Sequence, residues 1–460
     1  MNSRREFIKN VALAIPAFSL AEFMFSSCNP AATAPHVKRV GIIGAGVAGL
    51  NAAMILKQTK RCSVEILEAG DWVGGRILTY QNSAFSGNGN VELGADMAWG
   101  ADNNAWLNII EPYHPQRVAS ATKAYIIDDV MKKEEELNQD ADFKKMNSAI
   151  NSTFSYASND QSLEQFMENS DVPERVKHFY QSNIESCIGG SIDRVSIVMA
   201  NAEGLKNNKK DQYRLPNTGY SEIIHKHFSS VMTCVRNNTP VTEINYSGDV
   251  VRVKDGNGVI REYDKLIITV PLSILKDNDI AFTPALPQTK LNAMDKLGMD
   301  EGVRILLKVN KPFWPQNASM LYTNGDAGVF RIEEDMSKPG TYVLSSLVKG
   351  KKAEELNNKS EDNIVDQIKK DFSKLFGKQA GDAVTDSKVF FWSRMPYIKG
   401  TYSYHKVNGS MNNRKELAAP IQDKIFFAGE ATSYNGNSGT INGALETAVR
   451  AANEVLSVLA

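Results

Sequence analysis

Continuous apolar runs of strand length, set between polar and glycine-rich stretches, give the body of this chain its pattern. The first, Val40-Gly41-Ile42-Ile43, passes into the small-residue segment Gly44-Ala45-Gly46-Val47-Ala48-Gly49-Leu50. That order predicts a buried strand, a tight turn and a helix N-terminus, whose free N–H groups can cradle a pyrophosphate. Gly44 permits the turn, Gly46 lets backbone and phosphate approach, and Gly49 lets the helix pack closely on the strand. A second apolar strand over residues 63–68 ends in Glu68, about twenty residues on, where a carboxylate accepts ribose hydroxyls. Together these favour a dinucleotide site over a purely structural strand–helix–strand unit, without separating NAD from FAD.

Further along, the rhythm changes. From about residue 121 to 202 the tracts Lys132-Lys133-Glu134-Glu135-Glu136 and Asp142-Phe143-Lys144-Lys145 favour helix, and Ser162 caps a helical pattern beginning at Leu163. A helical insertion is expected there, its charges being solvated faces. Residues 215–221 lead into a helix. Strands at 241–244 and 250–253 suggest a β meander, and Leu266-Ile267-Ile268-Thr269-Val270 is a buried strand stopped by Pro271. Strands at 303–309 and 342–348, a helix at 361–376, an aromatic strand around Phe426-Phe427 and a helix at 443–459 complete the pattern.

Composition narrows the class. A chain of 460 residues, 42% hydrophobic, can bury a large core and is expected to hold two domains. With 52 basic and 53 acidic residues the net charge is -1, so no polyanionic partner, nucleic acid included, is implied. No apolar run in the body reaches the roughly 18 residues of a membrane span. The six histidines show no metal-ligand pattern, and no metal is expected. Residues 1–35 differ from the rest. Ser3-Arg4-Arg5-Glu6-Phe7-Ile8-Lys9 resembles a twin-arginine export signal, followed by a short, interrupted apolar run and Ser26-Ser27-Cys28-Asn29, which looks like a lipoprotein cleavage site. The expectation is export to the periplasm, either freely released or membrane-anchored through lipidated Cys28. Cys62, Cys187 and Cys234 are expected to be small buried hydrophobes, with at most one disulfide among them.

After Glu68 come Ala69-Gly70-Asp71-Trp72-Val73-Gly74-Gly75-Arg76 and then Val91-Glu92-Leu93-Gly94-Ala95-Asp96. Paired glycines beside arginine suit a diphosphate, and Gly94 suggests a large group pressing on the backbone. Near the C-terminus stand Phe427-Ala428-Gly429-Glu430 and Ser438-Gly439-Thr440-Ile441-Asn442-Gly443. On these motifs the chain, from about residue 38 to 452, resembles the flavin-containing amine oxidase family, which includes monoamine, polyamine and L-amino-acid oxidases. The resemblance implies a fold of α/β and α+β character: a Rossmann-like FAD-binding domain (36–105, 206–285, 389–460) interleaved with a mixed sheet-plus-helices substrate domain (106–205, 286–388). It also implies an FAD site built from Gly44, Ala45, Gly46, Gly49, Glu68, Ala69, Gly75, Arg76, Gly94, Ala95, Asp96, Val241, Trp392, Gly429, Glu430, Thr440 and Ile441. On the residues alone, Val241 would be plain β-core and Tyr402 a half-buried strand aromatic. The resemblance sets Val241 against the adenine and Tyr402 in an aromatic cage before the flavin, with Thr440 as the opposite, smaller wall.

Three positions bear on the chemistry. The family's covalent cysteine would fall at Thr401, which cannot form a thioether, so FAD is expected to be non-covalent. The family's lysine, water-linked to the flavin, would fall at Arg304, which stays protonated. Arg304 then either faces the flavin, where it could meet a substrate carboxylate, or is an outward strand residue. The segment Asp96-Met97-Ala98-Trp99-Gly100 also departs from the family pattern. The activity implied is oxidation of a small amine or amino acid by hydride transfer to flavin, with imine hydrolysis and reoxidation by molecular oxygen to hydrogen peroxide. The alternatives are a desaturase or porphyrinogen-type oxidase, and a flavin-binding protein without oxidase activity. Oligomeric state and substrate identity are not encoded in any motif.

Overall fold

The computed structural model describes residues 37–82, 85, 90–99, 104–118, 121–203, 212–215, 218–335 and 338–459. The export signal and Cys28 lie outside the described residues, as do Gly100 and the Pro216-Asn217 pair. Five strands form an all-parallel sheet in the order Val235–Arg236, Cys62–Leu67, Lys38–Ile43, Lys265–Ile268, Ile425–Phe427. In chain order this is 3-2-1-4-5, the arrangement of a Rossmann-like half. Ile42, Ile66, Ile267 and Phe426 share one rung and face the helices Val47–Thr59 and Ile441–Ser457. The next residues, Ile43, Leu67, Ile268 and Phe427, pack on the opposite side. Both faces are covered, which is why these strands read as unbroken apolar runs.

The second face is covered by a four-stranded sheet: the antiparallel meander Val241–Asn245, Val251–Asp255 and Ile260–Tyr263, where the sequence predicts one, with Ala281–Thr283 added parallel to Val241–Asn245. A seven-stranded mixed sheet forms the other half of the molecule, in the order Val384–Phe391, Gly302–Val309, Tyr342–Lys349, Val329–Glu334, Met320–Tyr322, Lys123–Ile127, Val130–Lys133. Alternation sorts its faces. Val303, Ile305, Leu307 and Val309 join the core that includes Ile364, Val365, Ile368 and Phe372 of the helix Glu361–Phe376. Leu306, Leu347 and Phe390 face the other way, toward Leu93 and Trp392. The chain thus combines a Rossmann-like nucleotide-binding domain with a mixed sheet-and-helix substrate-binding domain.

One expectation needs correction. The insertion beginning near residue 121 is not helical at its start: Lys123–Ile127 and Val130–Lys133 form a hairpin at the edge of the seven-stranded sheet. Asp128 and Asp129 turn it with φ of 54° and 57°, the left-handed pair of a tight hairpin turn. Lys132 and Lys133 are therefore strand residues, and helix begins only at Glu134–Leu137. The helices Ala141–Ser155, Leu163–Asn169, Glu174–Glu185 and Ile197–Ala202 follow, and Ser162 with Gln165 makes the predicted cap as a reciprocal capping box. No disulfide joins Cys62, Cys187 and Cys234; Cys62 is buried as expected, whereas Cys187 and Cys234 are only half-buried.

Candidate active site

A cavity of about 740 Å³ is lined by residues of both sheets. At one end lies the first glycine turn. Gly44 has φ of 101°, and a side chain on Gly49 would collide with the Gly44 carbonyl, so the first demands the turn and the second the close helix. Gly46 differs: a Cβ there would meet nothing within 4 Å. The space before Gly46 is open, and Gly75, with φ of 61°, approaches it from the second turn. Glu68 accepts hydrogen bonds from the Ala45 N–H at 2.7 Å and the Gly70 N–H at 2.8 Å. Burial pushes its carboxyl up, and the N–H groups of Gly70, Ala45 and Ala69 pull against this. Each oxygen keeps a lone pair, and both Glu68 and Ala69 line the cavity. Val241, buried in the meander, lines it too, so the core and the cavity readings of this residue both hold.

The middle of the cavity is knotted by ion pairs. Arg76 Nη1 donates to Glu430 Oε1 at 2.9 Å and to the Thr401 carbonyl at 2.7 Å. Glu430 also accepts from the Ser403 N–H, the Ser403 hydroxyl and the Gly439 N–H. Burial alone would raise its carboxyl, but Arg76, Arg414 and the Ser403 hydroxyl hold it below the ordinary range. This carboxylate therefore joins the second glycine turn to the loop at 401–403 and the loop before the last helix. Gly429 stands beside it with φ of 120°. The last helix begins at Ile441, two residues earlier than expected, with Thr440 as its cap.

Gly94 and Asp96 both line the cavity and are also committed to protein. What presses on Gly94 is protein: a side chain there would collide with the Arg76 carbonyl and come within 3.2 Å of the Trp392 ring. Ala95 N–H bonds the same Arg76 carbonyl. Asp96 lines the cavity, but its carboxylate is engaged by Arg331 at 2.7 Å and Arg304 at 3.5 Å. Burial opposes its ionisation, yet these cations pull it down to about 2. Trp392 is buried and donates Nε1–H to the Leu93 carbonyl.

Arg304 faces inward, which removes the reading of an outward strand residue; it is only 3% exposed. Its guanidinium is nonetheless committed to protein. Nε donates to the Leu93 carbonyl at 3.1 Å, Nη2 to the Gly94 carbonyl at 2.8 Å, and Nη1 to the Ser345 hydroxyl at 3.0 Å. The geometry makes it a brace for the 93–96 segment: four of its five N–H donors are engaged by protein acceptors, while the residue also lines the cavity. Thr440 is likewise occupied: its hydroxyl accepts from the Gly443 N–H and donates to the Asn437 carbonyl. It offers the cavity a small wall and no reactive hydroxyl. Thr401 bonds the Gly189 and Asp300 carbonyls.

Tyr402 stands opposite, packed so closely that side chains on Gly189 or Gly439 would strike its ring. Its hydroxyl donates to the Ile188 carbonyl at 2.8 Å and accepts from Lys349 Nζ at 3.0 Å. Elsewhere the lining mixes apolar residues, Leu347 and Val348 among them, with polar ones. The helix Glu174–Glu185 contributes Gln181, Ser182 and Glu185, and the sheet contributes Arg331 and Lys349. Burial pushes Glu185 up to about 7 against its bonds from Gln181 and the Ile192 N–H. None of Glu185, Arg331 or Lys349 figures among the sequence candidates. Lys349 directly follows the strand predicted at 342–348, and the structure extends that strand to include it. Among the described residues no group of three His, Cys, Asp or Glu is arranged to hold a metal, and no helix is long and apolar enough to cross a membrane.

Residues 201–456 match the family described as flavin containing amine oxidoreductase, and residues 42–111 match the NAD(P)-binding Rossmann-like domain. The chain is 28% identical over 449 residues to lysine-specific histone demethylase 1B of Mus musculus, an alignment covering 91% of this chain and 53% of that protein. It is 25% identical over 487 residues to polyamine oxidase 1 of Zea mays, covering 97% and 95% respectively. The chain thus spans about half the length of the mouse and human demethylases it matches. In fold it is similar to cyclohexylamine oxidase from Brevibacterium oxydans IH-35A, with a TM-score of 0.73 at 18% identity, over 91% of this chain and 100% of that one.

Proposed function

The chain belongs to the family of flavin-containing amine oxidoreductases, and on that footing we propose that it is an FAD-dependent oxidase of a small amine or amino acid. The observation that carries this reading is the continuity of the cavity, from the open face of Gly46 past Arg76 and Glu430 to Tyr402 and Thr440. The residues present fit FAD. Glu68 would hold the ribose, Gly46, Gly75 and Arg76 the diphosphate, Val241 the adenine, and the helix N-terminus at Thr440 and Ile441 the electron-rich end of the ring. Bound FAD supplies the two-electron acceptor for oxidation of the C–N bond. With threonine at 401 its attachment is non-covalent.

The chain's own residues supply position and desolvation. Tyr402 and Thr440 wall the space in which the reacting amine sits, and Arg304 fixes the backbone at Leu93 and Gly94. A free alkylamine has a pKa of about 10.4 and must be neutral to be oxidised; enclosure beside an aromatic wall lowers that value. No dedicated general base is needed. Glu185, Arg331 and Lys349 in the lining do not suit the long apolar tunnel that the desaturase or porphyrinogen-type reading requires. We also propose export by the twin-arginine route on the pattern at residues 3–9, with Cys28 as the lipid attachment point of an anchored form. Molecular oxygen is the proposed acceptor. Hydrogen peroxide release from FAD-loaded protein across polyamines, monoamines and amino acids tests the function: release with at least one class is expected, and none with any class would overturn it.

A further inference from the structure

Beside the Tyr402 hydroxyl the cavity holds a cation that makes no ion pair among the described residues. Lys349 ends the strand Tyr342–Lys349 and is only 4% exposed. Strand alternation puts it on the same face as Leu347 and Ser345, and its register partner is Gly302, which has no side chain to cover it. Its ammonium donates to the Tyr402 hydroxyl at 3.0 Å and lies 5.1 Å from that ring's centroid. Among the described residues its other two N–H bonds find no protein acceptor. The neighbouring carboxylates are used: Asp96 by Arg331 and Arg304, Asp326 by Lys359 and Lys352, Glu430 by Arg76. Glu185 is near enough to feel the charge of Lys349, but the two do not pair, and burial keeps the Glu185 carboxyl up at about 7. Its Oε1 is instead bonded by Gln181 and the Ile192 N–H.

A buried ammonium is costly unless an anion meets it. We propose that Lys349 is the specificity-determining cation of this cavity and receives a substrate carboxylate beside the Tyr402 wall. The substrate is then an amino acid or comparable zwitterion, and a diamine or polyamine, which would bring a second positive charge to the same place, is disfavoured. The inference rests on the oxidase reading and narrows its substrate class.

The test uses FAD-loaded protein and matched pairs: lysine with cadaverine, ornithine with putrescine, phenylalanine with phenethylamine. Anaerobic flavin reduction is expected to be at least about tenfold more efficient with the carboxylate-bearing member of at least one pair. Lys349→Met is expected to remove that preference through a KM increase of about 10- to 100-fold for the acid, with kcat moved much less, and Lys349→Arg to restore it. Benzoate, a carboxylate that cannot be oxidised, gives a readout without turnover: it should perturb the flavin absorbance of the unmutated protein and of Lys349→Arg, and not of Lys349→Met. Amines outpacing their acids in every pair, or benzoate binding equally to Lys349→Met, would overturn the assignment while leaving the oxidase reading intact. No reduction by any member of any pair, nor by monoamines at large, would remove the oxidase reading and this inference with it.

Discussion

Replacing Glu430 with glutamine would unpick the joint between three distant stretches of chain. The native carboxylate accepts four hydrogen bonds, from Arg76, the Ser403 N–H, the Ser403 hydroxyl and the Gly439 N–H. An amide has one acceptor oxygen. In its best orientation that oxygen serves Arg76 and the Ser403 N–H, and the NH₂ group can donate to the Ser403 hydroxyl. The Gly439 N–H is then left facing another donor. Removing one charge from a buried ion pair costs about 3–5 kcal/mol. Arg76 keeps 26% of its side chain exposed, so water takes up part of its loss and the lower end applies. The unmet Gly439 N–H adds about 1 kcal/mol or more. The expected penalty is about 4 kcal/mol in urea unfolding of the apoprotein. Gly439 precedes Thr440, so FAD affinity, read by flavin fluorescence quenching, should fall as well. A stability change below about 0.5 kcal/mol with unchanged FAD affinity would refute the idea that Glu430 holds these segments together.

The glycine turn separates folding from binding. Gly46→Ala enters open space, so apoprotein stability should stay within about 0.5 kcal/mol while FAD affinity drops at least tenfold; Gly49→Ala collides with the Gly44 carbonyl and should weaken both. Denaturation and FAD titration of the two variants side by side decide the point, and equal behaviour would contradict the assigned roles. Glu92 gives a pH signature. Burial raises its carboxyl to about 8 against the bonds from the Tyr220 N–H and Thr79. A raised folded pKa means that the stabilisation present below about pH 4.5 is lost as pH rises through about 8. Glu92→Gln should flatten this part of the stability profile, and an unchanged slope between pH 5 and 9 would show that Glu92 is not protonated in the fold.

Much of the frame is legible because local pattern and burial coincide. The helix Glu361–Phe376 has its predicted bounds, since Ser360 caps it and Gly377 ends it. The unbroken apolar runs are the parallel strands covered on both faces. The hairpin at 123–133 was hidden by its lysines, whose helix preference is overridden by pairing with the apolar run Ala124-Tyr125-Ile126-Ile127; the Asp128-Asp129 turn was the available clue. Gly94 shows another limit: a glycine signals close approach without saying whether ligand or protein approaches. The commitments of Arg304, Asp96 and Glu430 depend on partners more than two hundred residues away, and no local spacing encodes them. Lys349 stayed unnoticed because one lysine at the end of a strand is ordinary until the fold encloses it.

The central claim is that one cavity carries FAD from Gly46 to Tyr402 and opens on an amine site. Anaerobic spectrophotometric titration of the FAD-loaded protein with the amine and amino-acid panel tests it most directly. The expected result is bleaching of the flavin by at least one substrate class, abolished or strongly slowed in Gly46→Ala for want of bound FAD, with all flavin released on acid precipitation. A protein that binds no FAD, or a bound flavin that no amine or amino acid bleaches, would contradict it.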